Sequence, residues 1–557
     1  MSLNIISFLL FYFLIISSTI GYGYLVIQIT RMNKICFNQS YLGIIGIFSL
    51  IFLSYISHYI FAHSYYFNSI VLLIGLTSFL YFFSKDKNKT DLLKLNFLFL
   101  LLFISFIIYK SHDDFSYYHF QYIYYLTQNN LTVGIGNFNH GFRTPSSIFY
   151  LNSLFYLPIL KHFFFNMGAI LIMGFVCFNF FDLIQKRIKN KNFDITYFFS
   201  LISFLFIIIF FYRIAEHGTD RSAQILIFLL IIELIVILNF NQNMKENVAK
   251  ILVILTLIVS LKAFYILYLS FLIPVVFYFL KEKKENYLSA VYENYYFYFF
   301  IIVLLNILFV NFLNSGCFVY PVSFSCVPDL SWSIPLSEVS LMNDWYEQWA
   351  KAGANPNFRV DNPEQYIQNL NWISNWFSEY FFTKVSDFIL GISLLSLVLF
   401  FLFKSEKNKF SKKLKGINFL YVVIFCLFVE WFYNHPSLRY GGYTLICLFL
   451  FLPISIYFSS RAHDRKIIFK TYAIIIIALI IFFGRNVVRI IDENKKYGFN
   501  VSKGINYSID DSYFLIQTKM EKIINNQSKC INKKKDCLEN FEIDVKNKYG
   551  FNIFYKK

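Results

Sequence analysis

The stretch SAQILIFLLIIELIVILNF (residues 222–240) decides the fold class of this chain. It is apolar over a length that crosses the roughly 30 Å hydrocarbon core of a bilayer as one α-helix. Similar runs recur along all 557 residues, hydrophobic residues make up 57% of the chain, and the mean hydropathy is +0.53. Because every backbone polar group in lipid must be satisfied within its own helix, the sequence predicts an all-α polytopic transmembrane bundle.

Apolar runs of this kind predict about fourteen membrane spans, an even number. They lie near residues 5–28, 42–61, 65–84, 94–110, 164–184, 195–212, 222–240, 248–261, 263–280, 294–313, 385–403, 417–433, 443–459 and 467–485. Residues 1–485 are therefore predicted to form a transmembrane domain and residues 486–557 a small C-terminal tail. We interpret the first run as a retained span because it lacks the features of a removed signal peptide.

The loops between these spans alternate in charge. Short basic loops, such as KSEKNKFSKKLK (404–415), are typical of the cytoplasmic side. The intervening loops are poor in Lys and Arg and are predicted to face outward: 111–163, 213–221, 314–384 and 434–442. With an even number of spans, both termini and the tail are predicted to be extracytoplasmic. The net charge of +17 lies mostly in the short loops, which argues against nucleic acid as a partner.

Four of the eight cysteines fall in two pairs within segments predicted to face outward. Cys317 with Cys326, and Cys530 with Cys537, are predicted to form disulfides, which persist in oxidising compartments such as the periplasm. The alternative is four free thiols. No role is assigned to the other four, which are Cys36, Cys177, Cys426 and Cys447. No metal-ligand spacing links any of the eight cysteines.

The segment SHDDFSYYHFQYIYYL (111–126) places Asp113 and Asp114 directly after the fourth span. Adjacent side chains point about 100° apart on a helix, so only one of the two needs to face a cavity. The functional interpretation is a catalytic general base or a ligand of a divalent cation; the alternative is an N-cap of the following helix. Nearby polar side chains are candidates for substrate binding: His112, His119, His140 and Arg143.

Further candidate binding residues lie in the other outward loops. The segment RIAEHGTDRSAQ (213–224) places Glu216, His217, Asp220 and Arg221 at the mouth of a span. This cluster could bind phosphate or form a surface ion pair, and the alternative is a solvated cap.

Lys262, a lone charge between two tightly joined spans, is expected to snorkel to the membrane surface or to pair, and a phosphate partner is the sharper hypothesis. His435 and Arg439 occur in the turn NHPSLRYGGY (434–443), where an arginine can clamp a phosphate in a bidentate manner.

The loop 314–384 contains five of the six tryptophans. Trp345 and Trp349, four residues apart, lie on one face of a predicted helix. They are interpreted as anchors of an interfacial helix, with stacking against a sugar ring as the alternative.

The motifs quoted above, together with GIGNFNHGF (134–142), SWSIPLSEV (331–339) and HPSLRYGGY (435–443), resemble those of a group of uncharacterised bacterial multi-span membrane proteins. The likeness covers nearly the whole chain. That group in turn resembles the GT-C superfamily of glycosyltransferases, whose members use a polyprenyl-phosphate sugar as donor. The resemblance implies a location in the bacterial inner membrane and a glycan or lipid acceptor. It makes Asp113 or Asp114 the catalytic residue and Arg143, Lys262 and Arg439 candidates for holding the donor phosphate.

Two other classes of function fit the same pattern in part. An O-antigen polymerase or ligase would also show many spans and a large outer loop, but it does not require an early acidic pair. A transporter or a non-enzymatic assembly protein is the alternative to an enzyme. A transporter is expected to show internal repeats and charges near the centre of the membrane, and the sequence shows no clear repeat.

Overall fold

A computed structural model of the chain describes residues 5–32, 37–85, 89–239, 243–281, 291–355, 360–404, 415–461, 466–501, 507–532, 541–548 and 550–557. In chain order the α-helices are α1 (Ile5–Ile29), α2 (Gln39–His58), α3 (Tyr65–Ser84), α4 (Lys89–Phe106), α5 (Phe120–Gln128), α6 (Ser147–Ser153), α7 (Met167–Lys189), α8 (Ile195–Phe210), α9 (Gly218–Asn239), α10 (Met244–Leu261), α11 (Leu272–Lys281), α12 (Tyr295–Ser315), α13 (Leu336–Lys351), α14 (Pro363–Ile367), α15 (Ile373–Trp376), α16 (Ser386–Phe403), α17 (Ile417–Asn434), α18 (Gly442–Ser459), α19 (Lys466–Tyr497) and α20 (Leu515–Asn532).

Several turns of 3-10 or π-helix extend these elements. The 3-10 helix Ala263–Phe271 continues into α11, and the π-helices Phe115–His119 and Phe377–Val385 lead into α5 and α16. Two strands near the C-terminus, β1 (Ile543–Lys548) and β2 (Phe551–Lys556), pair antiparallel as a hairpin. Apart from this hairpin, the described chain is essentially helical, as the sequence predicted.

Eleven helical segments within the described residues are long and apolar enough to cross a bilayer. This identifies the chain as a multi-pass integral membrane protein in contact with lipid. The three other predicted spans also form helices, but α8 has only 16 residues, and α4 and α10 carry charges in their first turns. The count of fourteen spans therefore stays a prediction.

Close packing of small residues joins the first helices. A Cβ added at Gly23 of α1 would lie 1.9 Å from the carbonyl oxygen of Leu42 in α2. A Cβ added at Gly46 of α2 would lie 1.8 Å from the carbonyl oxygen of Thr19 in α1. Such contacts let two backbones approach, as is common where helices associate in lipid. The sequence thus builds a tight core in which α7, α8, α9 and α10 are largely buried.

Described parts of the basic segments contact one another in pairs at one end of the bundle. Lys94 donates a hydrogen bond to Gln185 at 3.0 Å, and Asn294 donates one to the Lys245 carbonyl at 2.9 Å. Each contact joins two neighbourhoods of loops that the sequence predicts to be cytoplasmic, and the two contacts involve separate pairs. They agree with the alternation of loops, although the compartment on each side stays a prediction.

The C-terminal tail packs against the opposite end. The Ser508 amide donates to the Tyr109 carbonyl at 2.9 Å, and the Ile516 amide donates to Gln121 Oε1 at 3.1 Å. The hairpin adds a short bridge to Val133, whose amide donates to the Asn552 carbonyl at 3.0 Å. The tail thus shares one side with loop 111–163.

A disulfide joins Cys317 and Cys326 at the start of loop 314–384. The predicted pair of Cys530 and Cys537 lies outside the described side chains.

Candidate functional site

Four charged side chains from distant parts of the chain form a cluster at the loop end of the bundle. Arg439 donates from Nη2 to Asp114 Oδ2 at 3.0 Å and from Nε to Asp220 Oδ2 at 3.0 Å. Lys262 donates from Nζ to Asp220 Oδ1 at 2.6 Å. We call these four residues the charge cluster; with two carboxylates and two cations, its formal charge is zero.

Three local structures set the positions of these side chains. Asp220 lies in the first turn of α9, and Lys262 occupies the extended break between α10 and the following 3-10 helix. Arg439 lies in a 3-10 turn that ends at Gly441, whose φ of +99° is a conformation that favours glycine. Gln224, one turn after Asp220, donates to the Arg439 carbonyl at 3.1 Å and thereby ties this turn to α9.

The structure separates the two adjacent aspartates. The Asp113 side chain is 91% exposed, and its only described ionic contact is Lys110 at 3.7 Å. Asp114 enters the charge cluster and also lies 3.5 Å from Nδ1 of His112. Its side chain makes no capping hydrogen bond to the π-helix that follows, so its contacts are those of the cluster.

Exposure differs among the four members of the charge cluster. The Asp220 side chain is 9% exposed, whereas those of Asp114, Lys262 and Arg439 are 28%, 28% and 30% exposed. Burial by itself raises the pKa of Asp114, but attraction to Arg439, with smaller contributions from His119 and His112, holds that pKa below its usual value. Asp220, the most buried member, therefore pairs with both cations from the interior side of the cluster. The ionised side chains of Asp114, Lys262 and Arg439 remain partly exposed to an approaching molecule.

Aromatic rings surround the cations of the cluster. Lys262 Nζ lies 4.4 Å from the centre of the Tyr440 ring, and Arg439 Cζ lies 5.4 Å from the Trp349 ring. Trp349 comes from α13, so the large loop covers this side of the cluster. Cations packed against ring faces are stabilised by the ring quadrupole.

Several histidines predicted to bind substrate lie beside the cluster. Burial lowers the pKa of His119 to about 3, and Nε2 has no hydrogen-bond partner among the described residues. His112 stacks edge-on against His217, with ring centres 5.0 Å apart. Burial, followed by the positive charge of Lys351, lowers the pKa of His435 to about 4. Because the pKa values of His119 and His435 are lowered, these two rings are neutral at physiological pH. They therefore add polar atoms beside the cluster without adding charge.

Arg143 and His140 belong to a neighbouring group of contacts. Arg143 pairs with Glu338 of α13 and donates to the Tyr320 hydroxyl, and Lys556 reaches the same Glu338 at 2.9 Å. His140 lies against the rings of Trp345 and Tyr117. Arg143 therefore ties loop 111–163 to loop 314–384 and the C-terminal hairpin, and its charge is already paired.

Sequence reasoning missed one contributor to the site. His217, half-buried beside His112, belongs to the predicted cluster at the mouth of α9, but Gln224, which fixes the Arg439 turn, was not predicted as a site residue. The spacing of Asp220 and Gln224, four residues apart on one helix face, was the available signal. Arg221, in contrast, lies near the site but outside the charge cluster, with Cζ 5.5 Å from the Phe211 ring.

Among the described residues, no group of three or more His, Cys, Asp or Glu side chains has the arrangement of a metal site. The divalent cation considered from the sequence therefore has no multidentate protein cage in this part of the chain.

The chain belongs to the family called Domain of unknown function (DUF8201), whose profile matches residues 5–446. This range contains all four residues of the charge cluster and ends before the C-terminal tail. No curated protein and no solved structure gives a significant match to the chain. The predicted resemblance to GT-C transferases therefore gains no support from these comparisons and stays a prediction.

Proposed function

We propose that this protein is a glycosyltransferase-like enzyme of the GT-C type. It would transfer a sugar from a polyprenyl-phosphate donor to an envelope glycan or lipid at the outer face of the bacterial inner membrane. The observation that supports this most directly is the convergence of Asp114 with Arg439, Lys262 and Asp220 at one end of the bundle. A carboxylate and two cations in one place are the groups that transfer from a lipid phosphate requires.

In this proposal Asp114 is the general base. Its ionised, partly exposed carboxylate would accept the proton of the acceptor hydroxyl as that oxygen attacks the anomeric carbon of the donor. The bond from that carbon to the phosphate oxygen breaks, and the lipid phosphate leaves with the bonding electrons. Asp220, which is buried, orients Lys262 and Arg439 so that they stay next to the carboxylate.

The pairing of Asp114 with Arg439 bears on this role. The pKa of Asp114 is held below its usual value, so the free carboxylate is a weak base. An acceptor or a phosphate that engages Arg439 would loosen this pair and raise the basicity of the carboxylate. Proton transfer would then depend on an occupied site.

Asp113 provides a matched control for Asp114. Asp114→Asn in a host strain lacking the endogenous gene should reduce the envelope glycan or glycolipid product about 100-fold or more, the range typical of a lost general base. Asp113→Asn should leave the product at wild-type level because its side chain is solvated. Mass spectrometry of extracted envelope lipids and glycans, with membrane protein levels matched by immunoblotting, measures both. Unchanged product in the Asp114→Asn strain would show that this carboxylate is not the base.

A further inference from the structure

The disulfide between Cys317 and Cys326 closes a loop with an apolar, exposed tip. The sequence of this loop is CFVYPVSFSC (317–326), and it contains no charged residue. The Phe324 side chain is 93% exposed, the largest value among the described large hydrophobic residues, and Phe318 is also exposed. We call these ten residues the disulfide loop. It presents aromatic side chains to the surroundings without any charge that would favour water.

The helix that precedes the disulfide loop has a lipid-facing side. α12 has 21 residues, which at 1.5 Å per residue extend over about 31 Å, close to the roughly 30 Å hydrocarbon core of a bilayer. Its last turn lies at the site end of the bundle, where the Gly134 amide donates to the Leu313 carbonyl at 2.8 Å. Exposed apolar side chains recur on α12 at helical spacing: Tyr298, Ile301, Ile302, Leu305 and Phe309. This side of the helix therefore contacts acyl chains and leads directly to the loop.

The disulfide loop turns back along this side of α12. The Phe318 ring stacks on the Phe312 ring, with ring centres 4.7 Å apart. Phe318 also lines an open groove of about 420 Å³ together with Leu305 and Phe309. Phe309 precedes the helix end at Ser315 by six residues, or about 9 Å along the axis. The loop therefore lies beside the last turns of α12 and not beyond its end.

Hydrogen bonds within the disulfide loop satisfy several of its backbone polar groups. The Phe318 amide donates to the Ser325 carbonyl at 3.1 Å. The Ser325 hydroxyl accepts from the Val319 amide at 3.1 Å and donates to the Val322 carbonyl at 2.7 Å. Unpaired backbone groups are costly where water is scarce, and these groups are paired inside the loop. The loop is therefore suited to contact with lipid.

The alternative partner for the exposed tip is another protein surface, such as a second copy of this chain. A protein interface usually surrounds its apolar centre with a polar rim. The charged residue nearest to the disulfide loop in sequence is Asp329, three residues after Cys326. The apolar surface of the loop instead continues into the lipid-facing side of α12 through Phe318 and Phe312. This continuity favours the bilayer as the partner.

The disulfide loop also reaches inward to the site end of the bundle. Tyr320 is buried, and its hydroxyl accepts a hydrogen bond from Arg143. Arg143 pairs with Glu338 of α13 and donates from Nε to the Gly136 carbonyl at 3.1 Å. One short loop thus connects the lipid-facing surface with the contacts that join loops 111–163 and 314–384.

From these observations we infer that the disulfide loop is a membrane anchor. Phe318 and Phe324 insert among the acyl chains of the leaflet on the site side of the bundle, as apolar side chains of interfacial segments do. Through Tyr320, the anchored loop holds the start of loop 314–384 at the membrane surface. The anchor does not depend on the proposed reaction.

Photo-crosslinking of the full chain in phosphatidylcholine nanodiscs tests this insertion. The photoreactive amino acid p-benzoylphenylalanine replaces Phe324, Phe309 or Asp113 in three separate proteins. Phe309 is the positive control on the lipid-facing side of α12, and Asp113, which is 91% exposed, is the solvated control matched in exposure. Intact-mass spectrometry after irradiation measures the fraction of protein that carries a phosphatidylcholine adduct. This fraction should be similar at positions 324 and 309 and about tenfold lower at position 113.

Two results would overturn the anchor. One is a lipid adduct at position 324 that is no more frequent than at position 113, while position 309 labels lipid. The other is a cross-linked dimer at position 324 in place of the lipid adduct, which would show that the tip contacts a second copy of the chain. Because Phe324 is exposed in the folded chain, its replacement tests the contact without removing a packed side chain.

Discussion

Asp220 should contribute more to stability than any other member of the charge cluster. Asp220→Asn keeps the shape of the side chain but removes the charge that holds Lys262 at 2.6 Å and Arg439 at 3.0 Å. The cluster changes from a formal charge of zero to +1, and only Asp114 remains to compensate two cations. We expect Asp220→Asn to lower the stability of the folded protein substantially.

The size of this effect follows from burial. Removing one partner of a buried ion pair costs about 3–5 kcal/mol because the remaining charge is left uncompensated. Lys262 and Arg439 are each about 30% exposed, so they can turn partly toward water, which places the loss near the lower end of that range. Asp114→Asn removes one contact of a more exposed carboxylate, so its loss should be nearer the roughly 1.5–3 kcal/mol of a hydrogen bond between charged groups.

A double-mutant cycle tests the coupling directly. Lys262→Met in the Asp220→Asn background returns the cluster to zero formal charge, so the double variant should be more stable than the sum of the two single losses predicts. Thermal unfolding of purified protein in detergent, followed by tryptophan fluorescence, measures the four proteins of the cycle and the Asp114→Asn variant. Simple additivity of the losses, or a smaller loss for Asp220→Asn than for Asp114→Asn, would refute the central position of Asp220.

Two further predictions concern pH and sidedness. Because Arg439 lowers the pKa of Asp114, the stabilising contribution of this carboxylate is fully present above its ordinary pKa of about 3.9 and is lost as the pH falls through the lowered value. Wild type and Asp114→Asn should therefore differ by a constant margin in thermal midpoint between about pH 5 and 8 and converge below about pH 4; a margin that already closes at neutral pH would contradict the ion pair. After reduction of intact cells, a membrane-impermeant maleimide should label Cys317 or Cys326 and spare Cys177, which is buried in α7; labelling of the former pair only after lysis would reverse the predicted orientation.

The helical architecture was predictable from the sequence because it depends on local composition. Each apolar run, such as residues 222–240, satisfies its own backbone within one helix, so its structure does not depend on distant residues. The observed ends of some helices differ from the predicted ends because of charge or local geometry. For example, the predicted span was 94–110, whereas α4 begins at Lys89 and ends at Phe106. Arg489 of α19 donates to the Ile107 carbonyl at this end, a contact that no local pattern indicates.

The candidate site was predictable only as a set of residue types on one side of the membrane. The alternation of loop charge placed Asp114, Asp220 and Arg439 in loops of the same set, and the structure brings these three together. The choice between Asp113 and Asp114 was open because both satisfy the same sequence pattern. Arg143 was a similar candidate, but its partner Glu338 lies 195 residues away.

The capping alternative for Asp114 shows why such choices depend on long-range contacts. A capping aspartate acts on amides two or three residues later, so its partner can be predicted from sequence. The Asp114 carboxylate instead contacts Arg439, 325 residues away, and Arg439 reaches Asp220 across 219 residues. These separations require loop 111–163, α9 and the turn before α18 to be assembled before the cluster exists. The charge cluster is therefore a property of the assembled bundle, and a substitution that loosens the helices should disrupt the cluster even when all four of its residues are intact.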